Sequence, residues 1–247
     1  MAILANKVVV VAGGTSGFGE AIARRFVAEG ADVVIAARGR ERLDRLAAEI
    51  GASPVVCDIS LFDDIKNLAA TVVEKFGRID IAVNSAGYED ACLIADLEPE
   101  RVERMVAVQF TGALYFIQQM ANVMGPGGSL VSVSSLTSSV AANGHAPYAG
   151  SKAGINHVTR VAASEYGEKG IRFNTVSPTL IETPMTAPMF EIPGMKEFLE
   201  HEIPLGRLGR VEDVVEAVLW LASDASGFVN AENINVCGGM GLRRLVG

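Results

Sequence analysis

Short apolar runs alternate along the chain with longer segments in which apolar residues recur every three or four positions. Runs such as VVVVA and DVVIA are rich in β-branched residues and almost continuously apolar, which is typical of parallel strands buried on both faces. The longer segments have the spacing of amphipathic helices. Seven strands are predicted, near residues 7–12, 32–36, 53–57, 79–84, 128–134, 171–176 and 233–236.

Helices fill the intervals between these strands, and this alternation predicts an α/β fold. We expect a doubly wound parallel sheet of about seven strands with helices on both faces. A chain of 247 residues fits one domain of this kind, so residues 1–247 are predicted to form a single domain. The helices are predicted near residues 17–29, 41–50, 61–76, 99–124, 151–167 and 211–223.

The segment between the sixth strand and the last helix is different in character. It contains four prolines and shows only weak helical periodicity. A long insertion of this kind inside a compact domain is usually a lid or a binding loop. Residues of about 180–206 are therefore predicted to cover a substrate.

Charged residues are nearly absent from residues 105–164, where Lys152 and Arg160 are the only ones apart from histidines. Surface helices normally carry a polar face, yet two helices are predicted in this stretch. Either these helices are buried deep in one subunit or they pack against another copy. We favour the second interpretation and expect a symmetric homo-oligomer, a homotetramer or a dimer.

Composition and charge exclude several classes of partner. The formal net charge is −8 and no basic cluster is present, so binding to nucleic acid is not expected. The N-terminal segment resembles neither a signal peptide nor a membrane anchor, because Lys7 interrupts it and a glycine turn follows the first strand. Cys57, Cys92 and Cys237 are far apart without metal-ligand spacing, which favours reduced thiols in the cytoplasm and no metal site.

A glycine turn follows the first predicted strand in the sequence AGGTSGFGEAIA, with glycines at positions 13, 17 and 19. Glycines there permit a tight turn and let a pyrophosphate approach backbone N–H groups at a helix N-terminus. The spacing differs from the common G-x-G-x-x-G fingerprint, and the motif alone is equally compatible with a plain turn. Its position after the first strand of an alternating chain favours a dinucleotide.

The second predicted strand ends in IAARGRER, where an acidic residue would bind a free ribose 2′-hydroxyl. Ala37 and Arg38 are found there instead, with Arg40 close behind. A guanidinium suits a 2′-phosphate, so NADP(H) is favoured over NAD(H). Alternatively, Arg38 stacks on adenine or lies in solvent.

Tyr148 and Lys152 are four residues apart in HAPYAGSKAG, among small residues. Residues four apart are neighbours on a helix, so the ammonium can lie beside the phenol. A positive charge about 4 Å away contributes roughly 4 kcal/mol at an effective dielectric constant near 20, enough to move a phenol pKa from about 10 to about 7. We therefore expect Lys152 to lower the pKa of Tyr148 and create a proton donor and acceptor. Taken alone, Y-x-x-x-K usually has no catalytic role.

Six motifs together resemble the short-chain dehydrogenases/reductases in order and spacing over nearly the whole chain. The resemblance implies a Rossmann-like fold, a dinucleotide-binding and catalytic domain, and hydride transfer to or from a nicotinamide nucleotide. The motifs are the glycine turn, CDIS with Asp58, NSAG at 84–87, SVSS ending at Ser135, YAGSK, and NTVSPTLIETPM.

This resemblance also implies roles for individual residues. Tyr148 would be the general acid in carbonyl reduction, Lys152 would assist it and hold the nicotinamide ribose, and Ser135 would stabilise the substrate oxygen. Pro178, Ile181 and Thr183 match the segment that holds the nicotinamide carboxamide. The full set implied to bind cofactor is Gly13, Thr15, Ser16, Gly17, Phe18, Gly19, Arg38, Asp58, Ile59, Asn84, Ala86, Gly87, Tyr148, Lys152, Pro178, Ile181 and Thr183.

Four positions depart from the family pattern. The family's fourth catalytic residue is usually an asparagine that supports a proton relay, and Gln109 stands in its place. The longer amide puts that relay in doubt. The other departures are Ala12 for a threonine, Thr179 for a glycine and Cys237 for an aspartate.

The substrate is expected to be a small or medium ketone, or its secondary alcohol, with an apolar or aromatic body. Apolar residues of the lid either close over such a substrate or pack in the interior: Met185, Met189, Phe190, Ile192, Met195 and Phe198. The residues predicted to contact substrate are Ser135, Thr137, His145, Tyr148, Met185 and Met189, and Tyr88 and Leu136 are predicted to lie close to it.

Two alternatives remain. One is reduction of 3-oxoacyl groups on acyl carrier protein, whose acidic surface needs basic residues at the site entrance. None lies between Arg104 and Lys152, although Arg207, Arg210, Arg243 and Arg244 occur elsewhere. The other is a non-catalytic module that senses nucleotide, as Gln109 would allow. The retention of Ser135, Tyr148 and Lys152 favours an enzyme.

Overall fold

The computed structural model describes residues 2–242, and the predicted strands are all found there. Most of their boundaries agree closely with the predicted ones, because continuous β-branched runs have few alternatives to a buried strand. The strands are β1 (Val8–Ala12), β2 (Asp32–Ala37), β3 (Ser53–Val56), β4 (Ile79–Asn84), β5 (Met124–Val133), β6 (Arg172–Pro178) and β7 (Asn233–Val236).

These strands form one parallel sheet in the order β3-β2-β1-β4-β5-β6-β7. β1 pairs with β2 on one side and with β4 on the other. The winding of the chain therefore reverses between β1 and β4, the kind of switch point at which open α/β sheets form a ligand crevice. The predicted doubly wound, Rossmann-like sheet is confirmed.

Helices cover both faces of the sheet. Val9 and Val11 of β1 belong to the apolar layer on one face, and Val8 and Val10 to the layer on the other, which explains why the strand is apolar throughout. The helices are α1 (Gly17–Ala28), α2 (Arg40–Ile50), α3 (Phe62–Phe76), α4 (Pro99–Val106), α5 (Gly112–Val123), α6 (Ala146–Tyr166), α7 (Ala187–Phe190), α8 (Met195–Glu202) and α9 (Val211–Ala222). The first face packs against α1, α2 and α9, and the second against α3, α5 and α6.

Two boundaries were predicted wrongly. α6 begins at Ala146 rather than at residue 151. Pro147 does not prevent this, because it lies in the first turn of the helix, where its missing N–H would have no intrahelical partner. Tyr148 is consequently a first-turn residue. β5 begins at Met124 rather than at residue 128, and Met124 pairs with Ile79 ahead of an irregularity in the register.

The long predicted helix near residues 99–124 is present, but it is not uniform. α4 and α5 are joined without a break by a π-helical turn at Ala107–Thr111. Such turns interrupt α-helices at functional sites with high frequency. Gln109, the departure from the family pattern, lies in the middle of this turn.

The segment 180–206 contains the two short helices α7 and α8, which the weak periodicity did not reveal. Elsewhere, one face of α6 is exposed, including Ala153, His157 and Val161. The charge-poor stretch is thus not wholly buried within one subunit, and the oligomer stays a prediction. Within residues 2–242 no helix combines the length and apolar character needed to cross a bilayer.

Candidate active site

Most of the predicted site residues meet at one cavity of about 470 Å³, formed by the segments that follow β1, β4, β5 and β6 and by the 180–206 segment. The predicted residues that line it are Gly13, Ser16, Gly17, Phe18, Ala86, Gly87, Gln109, Ser135, Thr137, His145, Tyr148, Lys152, Pro178, Ile181, Thr183, Met185 and Met189. The predicted residues outside its lining are Thr15, Gly19, Arg38, Asp58, Ile59 and Asn84.

The glycine turn forms one end of the cavity and leads directly into α1. Gly13 has a φ of +73°, and a Cβ there would lie 2.6 Å from the backbone nitrogen of Ala86. A Cβ on Gly19 would collide with the carbonyl of Gly13, so Gly19 serves the packing of the helix on the turn. Ser16 is the N-cap residue of α1, but its side chain accepts no hydrogen bond from the first N–H groups of the helix. The turn therefore suits a pyrophosphate, which such N–H groups bind.

Three predicted nucleotide residues lie beyond the cavity but follow the same edge of the sheet. Arg38, after β2, is exposed and forms no ion pair with any residue in the described range. The Asp58 Oδ1 atom accepts hydrogen bonds from the backbone and hydroxyl of Ser60, which shapes the loop after β3. The Oδ1 atom of Asn84 accepts one from the backbone N–H of Ala86 and fixes the turn after β4.

Ser135, Tyr148 and Lys152 are close together on the cavity wall. The Lys152 Nζ atom lies 5.6 Å from the centroid of the Tyr148 ring and donates a hydrogen bond of 2.9 Å to the carbonyl of Val133. The Ser135 Oγ atom accepts hydrogen bonds from the backbone and hydroxyl of Thr137, at 3.2 and 2.9 Å. β5 and the first turns of α6 thus bring the three side chains to one place.

The ionisation of this group differs from the sequence expectation. Burial raises the pKa of Tyr148 to about 12, the Ser135 hydroxyl opposes this shift, and the negative charge of Glu89 adds to it. Burial also lowers the pKa of Lys152 to about 8. The phenol pKa is thus raised and not lowered as expected, because burial dominates the shift and the Lys152 ammonium is directed at the carbonyl of Val133.

Gln109 is buried, and its amide is held against the loop after β4. Its Nε2 atom donates a hydrogen bond of 2.5 Å to the carbonyl of Tyr88, whereas its Oε1 atom is buried without a hydrogen-bond partner. A Cβ on Gly87 would lie 2.9 Å from both atoms of this amide. The absence of a side chain at position 87 and the π-helical turn together accommodate the longer amide.

The 180–206 segment supplies one apolar wall. Met195 and Phe198, for which both a lid and an interior position were left open, line the cavity, as does Leu136. Phe190 and Ile192 do not line it, and Ile192 is half exposed. The packing of two short helices, which the sequence pattern did not reveal, decides which of these side chains face inward.

Sequence reasoning overlooked Glu89. It lines the cavity, and its carboxylate contacts the imidazole of His145 at the start of α6. Its position two residues after the NSAG motif could have indicated a role in the site, because side chains that follow the strands of this sheet lie at the ligand crevice. Among the described lining residues it is the only acidic one.

The chain is similar to known proteins over nearly its full length. A family model described as enoyl-(acyl carrier protein) reductase matches residues 12–241. The 3-oxoacyl-[acyl-carrier-protein] reductase FabG of Thermotoga maritima is 36% identical, covering 96% of this chain and 98% of the relative. The mitochondrial borneol dehydrogenase of Lavandula x intermedia is 37% identical, covering 97% and 92%.

Solved structures agree with this result. A short-chain type dehydrogenase/reductase from Mycobacterium ulcerans matches with a TM-score of 0.94 and 31% identity, covering 98% of this chain and 92% of that one. The resemblance inferred from the six motifs is confirmed. The chain belongs to the short-chain dehydrogenase/reductase family and is an oxidoreductase that uses a nicotinamide nucleotide.

Proposed function

We propose that this protein transfers hydride reversibly between NADP(H) and a small or medium ketone or secondary alcohol with an apolar body. The observation that carries the proposal is the meeting of Ser135, Tyr148 and Lys152 in one cavity with the glycine turn at its end. When bound, the nicotinamide supplies or accepts the hydride. The protein contributes placement and proton transfer.

Each of the three side chains has a role in this proposal. Tyr148 carries its proton at neutral pH and can donate it to the carbonyl oxygen as that oxygen gains negative charge during reduction. Burial raises the pKa of Tyr148 to about 12 and so makes the phenol a weaker acid, but it remains more acidic than the alcohol that is formed. Ser135 donates a hydrogen bond to the same oxygen and stabilises negative charge as it develops. Lys152 holds the ribose hydroxyls of the cofactor. In the oxidative direction a positive charge near the phenol offsets part of the cost of removing its proton.

The preference for NADP(H) rests on Arg38. Its side chain is exposed at the end of β2 and is not engaged by an acidic residue in the described part of the chain. Ala37 precedes it, so no carboxylate there repels a 2′-phosphate. A free guanidinium at this edge suits a phosphate ester.

The apolar wall supports a ketone with an apolar or aromatic body. Met185, Met189, Met195 and Phe198 face the cavity, and we propose that the 180–206 segment closes over the substrate and excludes water. Borneol, named for the Lavandula relative, is a secondary alcohol with an apolar body.

A second candidate function is reduction of 3-oxoacyl groups on acyl carrier protein, favoured by the name of the Thermotoga relative. The basic residues expected to bind such a carrier are only partly available. Arg207 forms an ion pair with Asp213 at 2.8 Å, whereas Arg210 is exposed. Arg243 and Arg244 lie outside the described residues. We therefore rank this function second, and a non-catalytic sensing module third.

The decisive experiment mixes the purified protein with NADPH or NADH and a panel of aliphatic, cyclic and aromatic ketones, together with a 3-oxoacyl carrier-protein substrate. Nucleotide absorbance is followed in both directions. Oxidation of NADPH by free ketones supports the proposal, and turnover of the carrier-bound substrate alone supports the second candidate. Nucleotide binding without turnover of any carbonyl or alcohol would favour the sensing module.

We further propose that the protein works in the cytoplasm as a homo-oligomer, a homotetramer or dimer. Its reduced, dispersed cysteines support the location. The exposed face of α6 supports assembly, because it carries Ala153 and Val161 within the stretch that has almost no charged residues. We do not expect nucleic acid or membrane as partners.

A further inference from the structure

Glu89 and His145 form a polar pair beside apolar residues of the cavity. Glu89 lies in the loop after β4, and His145 immediately precedes α6. The two residues are distant in sequence and are brought together by the fold. Their side chains are in contact, and they are only 20% and 17% exposed. Leu136 and Val140 line the same cavity. A partly buried carboxylate in such surroundings is costly unless its oxygens accept hydrogen bonds.

The contacts of this pair leave one carboxylate oxygen free. The Nδ1 atom of His145 lies 2.7 Å from the carbonyl oxygen of Asn143, which can only accept, so Nδ1 carries a proton. The Nε2 atom of His145 contacts Oε1 of Glu89. Oε2 of Glu89 has no hydrogen-bonding partner among residues 2–242. It is therefore available to accept a hydrogen bond from a ligand.

The pair also lies close to the reacting group. His145 is three residues before Tyr148, and their ring centroids are 6.4 Å apart at an angle of 75°. Because Glu89 contacts His145 and both line the cavity with Tyr148, a group bound at Glu89 lies on the same side of the cavity as a carbonyl bound at Tyr148.

We propose that the Glu89–His145 pair determines substrate specificity by accepting a hydrogen bond from a second hydroxyl group of the substrate. The inference rests on the proposed function and narrows it to ketones that carry a neighbouring hydroxyl, and to the corresponding diols. Glu89 supplies the acceptor, and His145 is a positioning residue that holds the carboxylate. A neutral hydroxyl fits better than a carboxylate, which Glu89 would repel.

The test compares 2-hydroxycyclohexanone with cyclohexanone, two ketones that differ by the second hydroxyl. The hydroxy ketone should have a kcat/KM higher by about tenfold or more, because a hydrogen bond to a charged group contributes roughly 1.5–3 kcal/mol. Glu89→Gln keeps the shape of the side chain and should remove most of this preference, mainly by raising KM for the hydroxy ketone. Because Glu89 also lines the cavity and raises the pKa of Tyr148, the rate with cyclohexanone is expected to change as well, and the readout is the ratio of kcat/KM for the two ketones. Glu165→Gln, the same change at an exposed position of α6, is the matched control.

His145→Gln tests the positioning role. The side chain of His145 makes no capping bond to α6, so the substitution removes no helix cap. The variant should lose part of the preference for the hydroxy ketone, measured as the ratio of kcat/KM for the two ketones. Equal losses with both ketones in the Glu89 and His145 variants would overturn the proposal, since the pair would then act on Tyr148 or on folding alone.

A binding experiment separates failure of this inference from failure of the proposed function. Trans-1,2-cyclohexanediol and cyclohexanol are titrated calorimetrically into the protein with and without NADPH, conditions in which neither alcohol can be oxidised. Tighter binding of the diol, lost in Glu89→Gln, would support the pair even if neither ketone were turned over. Equal affinity for the diol and the monoalcohol would overturn it even if both ketones were reduced.

Discussion

At the scale of single residues, burial governs the chemistry of the candidate site. Tyr148 and Lys152 both lose hydration, and each is shifted toward its neutral form. The sequence places an ammonium next to a phenol but does not report how much water surrounds them. The direction of the phenol shift could therefore not be predicted from spacing alone. The same limit applies to Glu89 and His145, which are 56 positions apart and meet only through the fold.

The lowered pKa of Lys152 predicts how stability depends on pH. The folded protein binds the Lys152 proton less tightly than the unfolded chain does. The resulting destabilisation of the folded state is fully present below about pH 8 and disappears as the pH rises toward 10.5. Lys152→Met should remove this destabilisation and raise the free energy of unfolding at pH 7 by about 3 kcal/mol. Denaturant unfolding of both proteins from pH 7 to 10.5 measures this. The difference should shrink with rising pH, and a constant difference would contradict the assignment.

The exposed guanidinium of Arg38 predicts a nucleotide-specific effect. Arg38→Ala should raise KM for NADPH by about tenfold, because a charge-assisted hydrogen bond to phosphate contributes roughly 1.5–3 kcal/mol, and should leave KM for NADH nearly unchanged. Steady-state kinetics with both nucleotides measure the ratio. Arg40→Ala is the neighbouring control, since Arg40 lies 3.9 Å from Asp44 in a surface ion pair. Equal effects on both nucleotides would remove Arg38 from this role.

At the scale of elements, the strands were predicted well because a strand that is apolar on both faces is stable only in the middle of the sheet, between the two layers of helices. The start of α6 was missed because Pro147 and Gly150 are poor helix formers, and tertiary packing overrides that preference. α7 and α8 were missed because each is too short to establish a period. The π-helical turn leaves no periodic signature, although it positions Gln109.

The contact between Gln109 and Gly87 predicts a compensating pair of substitutions. Gly87→Ala places a methyl group 2.9 Å from the Gln109 amide and should destabilise the protein by about 1–3 kcal/mol through overpacking. Gln109→Asn shortens the amide and should recover most of this loss in the double variant. Thermal or denaturant unfolding of the two single variants and the double variant measures the coupling. Strict additivity would show that the two side chains do not compete for this space.

At the scale of the whole molecule, the charge-poor face of α6 predicts assembly. Val161 is 44% exposed on this helix. Val161→Glu should place a charge in the interface and reduce the mass measured by sedimentation to that of a smaller species. Val56→Glu is the matched control, because Val56 is 38% exposed on the edge strand β3, away from α6. A wild-type monomer, or an unchanged mass in Val161→Glu, would contradict the oligomer.

The proposed reaction requires proton transfer by Tyr148, which the Tyr148→Phe variant removes. Tyr148→Phe and the wild-type protein are compared for the rate of ketone reduction at saturating NADPH, with nucleotide binding measured on the same samples by fluorescence. The rate should fall by at least about 100-fold, the usual contribution of a general acid, while the nucleotide dissociation constant changes little. A variant that retains most of the wild-type rate would contradict the account.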